Sequence, residues 1–196
     1  MKALTLWQPW ATLVAMEVKH IETRCWSTKY RGELAIHAAA KIPPRWLGSS
    51  AHEEIFRDEL ADVFKVRRDC DDRGGKHVDD IIRAMPCGAV LCIVRLVGIS
   101  ETSEMLRETI NRREAIFGNY EDGRYAWQLE MVDVFEPPIP AKGNRMLWNW
   151  NHPLNSITTV NERAVFAKQR DPIRALYQGR KVGKADGTKR TDDNHL

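Results

Sequence analysis

Residues 87–98, Cys-Gly-Ala-Val-Leu-Cys-Ile-Val-Arg-Leu-Val-Gly, constrain the fold more than any other stretch. The run is rich in β-branched residues and almost continuously apolar, so as a strand it presents hydrophobic side chains to both faces of its sheet. Such a strand belongs in the middle of a sheet with packing on either side. Its most apolar part, residues 89–94, is far shorter than the roughly 20 residues that a helical membrane span needs. The N-terminus lacks a long apolar segment followed by small residues, so no signal peptide and a cytoplasmic address are expected.

Other strands are expected at 3–6, 21–26, 33–38 and 125–135, with 146–150 closing a barrel. Gln8-Pro9 opens a helix with Trp10, Leu13, Val14 and Met16 as its apolar positions, and Pro9 suits a first turn where its missing N–H costs nothing. Residues 51–83 read as helical with a break at 73–75. Seven basic and eight acidic residues between Arg57 and Arg83 nearly cancel, which marks a solvated helical insertion over 51–85 rather than a binding face. Ser100 or Thr102 is expected to cap a helix running towards Ile116. Pro137-Pro138-Ile139-Pro140 is expected to end the last long strand. A helical extension (151–178) and a flexible polar tail (179–196) follow the main domain (1–150). Strands interspersed with short helices, without βαβ alternation or repeats, predict an α+β chain built on a small mixed or antiparallel barrel.

The formal net charge is +3, and the tail from 179 contributes five Lys or Arg against three Asp, leaving +1 for the rest. Proteins that bind long duplexes carry a strongly basic face, and this balance argues against one. The four cysteines (25, 70, 87 and 92) form no CxxC pair and no zinc-type cluster with histidine. No metal or cofactor is implied, and the thiols are expected to be buried or inert. Walker A, GxGxxG, GxSxG and HExxH motifs are absent.

The chemistry-bearing residues concentrate near the N-terminus. On a strand over 21–26, Glu22 and Arg24 share one face, and Lys19 sits in the turn just before it. Two cations and one anion at one mouth suit a phosphate or a polarised carbonyl. Trp7 and Trp10 offer stacking surface on either side of Gln8, whose amide suits a base edge. Against this, Trp10 on a helix fits core packing, Glu22 and Arg24 fit a simple exterior ion pair, and His37 in an apolar strand fits a satisfied buried histidine.

Gln8-Pro9-Trp10-Ala11, Lys19-x-x-Glu22-x-Arg24, Trp26, Thr28, Tyr30-Arg31-Gly32 and Ile36-His37-Ala38 together resemble the ASCH family, the activating-signal-cointegrator homology domains with a PUA-like barrel. Phe117-Gly118-Asn119-Tyr120, Gly123-Arg124-Tyr125-Ala126-Trp127 and Pro138-Ile139-Pro140 with Gly143 extend the resemblance over residues 3–150. Glu17-Val18 departs from it, because the family often has glycine before the lysine.

The resemblance implies a ligand site of Trp7, Gln8, Lys19, Glu22, Arg24, Arg31, His37, Tyr125 and Trp127, taking RNA, single-stranded DNA or a modified nucleotide into a monomer. Tyr125 and Trp127, two apart on one strand, fit either a core layer or an aromatic wall. Some small ASCH proteins are amidohydrolases of N4-acetylcytidine that use a Lys, a Thr three residues later and a more distant Glu. This chain keeps Lys19 but has Glu22 at the threonine position, with Glu114 the candidate for the third residue. The alternative function is therefore a hydrolase of modified nucleosides with Lys19 and Glu22 as its catalytic pair. Nuclease activity is attributed to other members, but no metal cluster or two-histidine arrangement here supplies it.

Overall fold

The computed structural model describes residues 1–42, 51–65, 74–104 and 110–151. The expected helix at 158–177 and the polar tail lie outside these. Six strands, β1 (Lys2–Leu6), β2 (Ile21–Arg24), β3 (Gly32–Ala38), β4 (Ala89–Glu101), β5 (Tyr125–Pro140) and β6 (Leu147–Asn149), form one curled sheet in the order β2-β5-β4-β3-β1-β6. Neighbours are antiparallel except β1 and β3, which run parallel. Among the described residues, four short helices, α1 (Trp10–Ala15), α2 (Ala51–Val63), α3 (Gly74–Ala84) and α4 (Arg112–Phe117), accompany it. This is the α+β, mixed half-barrel architecture that the alternation of strands and short helices predicts.

The apolar run does form a central strand. β4 lies between β3 and β5, and Ala89 to Val94 are all buried. Leu34, Ile36, Leu91, Val94, Leu96 and Trp127 fill the inside of the curl with Ala11, Val14 and Ala15 of α1. Ala3, Ala35, Val90 and Trp150 make a smaller layer on the opposite face. Fully burying each large side chain of this kind contributes about 1.5–3 kcal/mol.

Two expectations fail around β4 and β5. β4 continues to Glu101, because Ile99 and Ser100 pair with Trp127 and Ala126, so neither Ser100 nor Thr102 caps a helix. Thr102 instead donates its hydroxyl to Glu121 O at 2.7 Å, tying the end of β4 to the turn into β5. Among the described residues the helix there is α4, capped by Asn111, whose side chain accepts from Glu114 N at 2.9 Å. The proline cluster does not end β5. Val134 lies opposite Cys92 and Ile139 opposite Val90, so residues 135–138 bulge out against Leu91 alone. Pro137 and Pro138, which have no N–H to donate, occupy that bulge.

Of the expected 51–85 insertion, the described residues form α2 and α3, and they do more than decorate the surface. Leu60 and Phe64 on and just beyond α2, with Val78 and Ile82 of α3, form a second core with Leu13 of α1 and Phe117 of α4. Arg57–Asp79 (2.7 Å) joins α2 to α3, and Arg113–Glu59 (2.6 Å) joins α4 to α2. The helical layer thereby braces α1 and α4, which carry the residues described next. Among the described residues, no helix is long and apolar enough to cross a membrane.

Candidate nucleic-acid interface

α1 positions the first functional residues. Trp10 donates its indole N–H to Phe117 O at 2.7 Å and packs on Phe56. Gln8 is fully buried. Its Oε1 accepts from Thr12 N at 3.1 Å, standing in for a helix carbonyl, and its Nε2 donates to Pro86 O at 2.6 Å. Both ends of the amide serve the fold, which corrects the expectation that Gln8 reads a base at the rim.

α1 then ends in a Schellman arrangement. Val18 N donates to Leu13 O and Glu17 N to Val14 O, with Glu17 at a φ of 58°. That left-handed position is the one at which glycine is free and other residues are strained. It explains why the sequence departure falls here, and shows that Glu17 makes the turn regardless. Leu13 and Val18 pack in the same apolar cluster.

The turn delivers Lys19 into the protein rather than to a rim, for it is only 1% exposed. Its Nζ meets Glu114 Oε2 at 3.5 Å, and the Glu114 side chain is equally buried. Glu114 Oε1 also accepts from the backbone N–H of His20 and, at 3.1 Å, of Ile21. This carboxylate clamps the start of β2 to α4. Tyr120, three residues past α4, is half-buried. Its phenol pKa is raised, first by burial and then by the Glu114 and Glu22 carboxylates, so the hydroxyl stays protonated.

Glu22 and Arg24 lie opposite Trp127 and Tyr125 in the β2–β5 pairing, so they share the inner face of the curl with those aromatic rings. Arg24 Nε sits 3.1 Å from Glu22 Oε1. Nη2 crosses to β1 near the far end of the sheet and donates to Thr5 O at 2.9 Å. One guanidinium therefore bridges the two ends of the curled sheet, which an exterior ion pair would not do. The side chain keeps 25% of its surface exposed. Trp7, two residues beyond Thr5, is 45% exposed.

The other expected site residues lie elsewhere. Trp127 is completely buried, donates to Trp26 O at 3.3 Å and meets the Trp26 ring edge-on, so it is the core layer rather than an aromatic wall. Tyr125 is half-buried beside Arg24. Arg31 is exposed and folds back on Thr28 O and Tyr30 O at 3.0 and 2.8 Å in the β2–β3 turn. His37 alternates to the opposite face of the sheet, where Nε2 meets Ala141 O at 3.0 Å and the ring meets Trp148. Its pKa is lowered by burial, partly offset by that bond. Arg31 and His37 thus do not join the Arg24 mouth. Of the thiols expected to be buried or inert, Cys92 is buried, Cys87 half-buried and Cys25 exposed.

The cluster that these contacts define is Arg24, Glu22 and Tyr120, and Trp7 is exposed two residues past Thr5. Sequence motifs quoted Tyr120 without giving it a role, and nothing marked Thr5, because the arginine's partner there is a backbone carbonyl. Among the described residues, no group of three His, Cys, Asp or Glu side chains could hold a metal ion.

A curled six-stranded sheet with α1 packed into it and its ends joined through an arginine defines a PUA-like module. The ASCH domain model matches residues 4–139, and the chain belongs to that family, a PUA-like family often associated with nucleic-acid binding. The chain is also 26% identical over 145 residues to activating signal cointegrator 1 of Homo sapiens and 25% identical over the same length to that of Mus musculus. These alignments cover 74% of this chain but span about a fifth, 21%, of each relative.

Proposed function

We propose that this chain binds single-stranded nucleic acid or a modified nucleotide, with one phosphate taken by Arg24 and a base stacked on Trp7. The position of Arg24 carries this reading. Its guanidinium is oriented by Thr5 O and Glu22, yet it is a quarter exposed and its Nη1 has no protein partner among the described residues. A planar cation with donors to spare is suited to phosphate oxygens. Lys19 acts one layer further in, holding β2 through Glu114 rather than meeting the ligand. Glu22 orients Arg24 and lowers the net positive charge, which favours a single phosphate over a duplex.

The test is a titration of labelled single-stranded RNA and DNA of one sequence against wild type and Arg24→Gln, followed by anisotropy across a salt series. Wild-type binding should weaken as salt rises. Loss of one phosphate contact should lower the log–log salt slope by about 0.7. A folded Arg24→Gln protein with unchanged affinity and slope would remove Arg24 from the interface.

A second reading has one observation in its favour. Lys19, Glu22, Glu114 and Tyr120 bring four ionisable side chains together, and Glu114 meets the lysine directly. That grouping fits a hydrolase acting on a modified nucleoside, with Lys19 and Glu22 as the pair. Glu114 already accepts from two backbone N–H groups and the lysine, which suits a positioning role better than proton transfer. Incubating nucleosides, N4-acetylcytidine included, with wild type and Lys19→Met and following them by mass spectrometry separates the two readings.

A further inference from the structure

The carbonyl that Arg24 grips has a second neighbour. Along β1, Leu6 O accepts from Ala39 N on the β3 side, whereas Met1 O accepts from Trp150 N on the β6 side. Alternation then turns Thr5 O towards β6. But β6 pairs with β1 only from Lys2–Asn149 to Leu4–Leu147. Before Leu147, the chain veers away at Met146, whose φ of 57° is left-handed and strained for a non-glycine residue. Arg24 therefore takes the β1 carbonyl just past the last β1–β6 pair, Leu4–Leu147. The Thr5 hydroxyl holds the same segment from the other side, donating to Asn144 O at 2.9 Å.

That segment is built differently from the rest of the surface. Lys142 and Arg145 are exposed, and neither side chain meets a carboxylate among the described residues. Met146 is 55% exposed, the highest value among the large exposed hydrophobic residues, and Trp7 is another of that group. Residues 1–16 and 137–151, which meet as β1 and β6, contain Lys2, Lys142 and Arg145 and no Asp or Glu at all. In a chain with 29% charged residues, residues 137–151 carry two exposed cations and no anion.

We infer that the 142–146 loop, which meets the Thr5 side chain while Arg24 meets the Thr5 carbonyl, is a second phosphate-binding site, so that a single strand of two or more linked nucleotides runs from Arg24 round the sheet edge at Thr5. Lys142 and Arg145 contact the phosphates that follow the one at Arg24, and Met146 gives the next base an apolar surface, as Trp7 does for the first. This rests on the binding reading above and deepens it: the ligand is an oligonucleotide rather than a free nucleoside or nucleotide. The track suits one strand, because single-stranded sites combine a basic path with flat apolar platforms, whereas a long duplex calls for a broad basic face.

Wild type and the double variant Lys142→Ala/Arg145→Ala are titrated with a labelled single-stranded oligonucleotide, a mononucleotide and a duplex of the same sequence. Both substitutions lie on exposed side chains, and thermal unfolding confirms that the variant is folded. Two lost contacts should lower the salt slope by about 1.4, which at 0.1 M salt corresponds to a loss of about 25-fold in affinity relative to a 1 M reference. Mononucleotide binding should be unchanged. Wild type binding the oligonucleotide while the double variant keeps full affinity and slope would overturn the track and leave the Arg24 site standing. No binding by wild type would overturn both. Binding of the duplex more tightly than of the single strand would also overturn the track.

Discussion

Replacing Glu114 with alanine removes the only carboxylate that the described structure places on Lys19, a side chain 1% exposed with its partner at 3%. The ammonium is then buried without a counter-charge, and the N–H groups of His20 and Ile21 lose their acceptor. Breaking a buried pair from one side costs about 3–5 kcal/mol, a large part of a typical total of about 5–15 kcal/mol. With a urea slope of about 2 kcal/mol/M, the denaturation midpoint should fall by about 2 M. Lys19→Met with Glu114→Gln removes both charges and keeps an acceptor for the two amides. That pair should cost at least about 2 kcal/mol less than the sum of its single substitutions, since residues in direct contact couple on this scale. Urea unfolding followed by tryptophan fluorescence measures wild type, Glu114→Ala, the two single substitutions of the pair and the pair itself. A Glu114→Ala cost below about 1 kcal/mol, or strict additivity of the pair, would refute the clamp.

Three further perturbations separate fold from function. Glu17→Gly should stabilise the protein by about 0.5–1 kcal/mol in urea unfolding, because relief of a left-handed residue exceeds the entropy of an added glycine. Trp7→Ala should leave unfolding unchanged while weakening oligonucleotide binding by about 1–3 kcal/mol, the usual worth of one stacked base. His37 is held neutral by burial, so its folded pKa lies below its unfolded one. Its contribution is therefore complete above the unfolded value of about 6.5 and is lost as pH falls from there towards the folded pKa. His37→Gln should flatten the stability profile between about pH 7 and pH 5.

The sheet was legible in the sequence because its signals are local. The β-branched run of β4, the alternation in β3 and the Pro9 helix start each depend on neighbours a few residues away. The motif series also located the site's region. Its inner arrangement was not legible. Lys19 and Glu114 are 95 residues apart, and only the packing of α4 against β2 brings them together. Arg24 finds a backbone oxygen on β1, which carries no sequence signature. Gln8 and Trp127 look like ligand readers in a motif but serve the core, because the surroundings satisfy their polar atoms. The proline bulge in β5 and the extension of β4 were missed for the same reason, since each is decided by the partner strand. The insertion's balanced charge concealed the few apolar residues that join α2 and α3 to α1 and α4.

The most direct test is a titration of isotopically labelled protein with an unlabelled single-stranded oligonucleotide, followed by NMR shifts of backbone amides and of indole and guanidinium N–H groups. The largest saturable changes should fall at Trp7, Arg24 and the 142–146 loop, with the indoles of Trp10 and Trp127 and the Arg31 turn unmoved. Shifts centred on Arg31, or no saturable shifts at all, would contradict it.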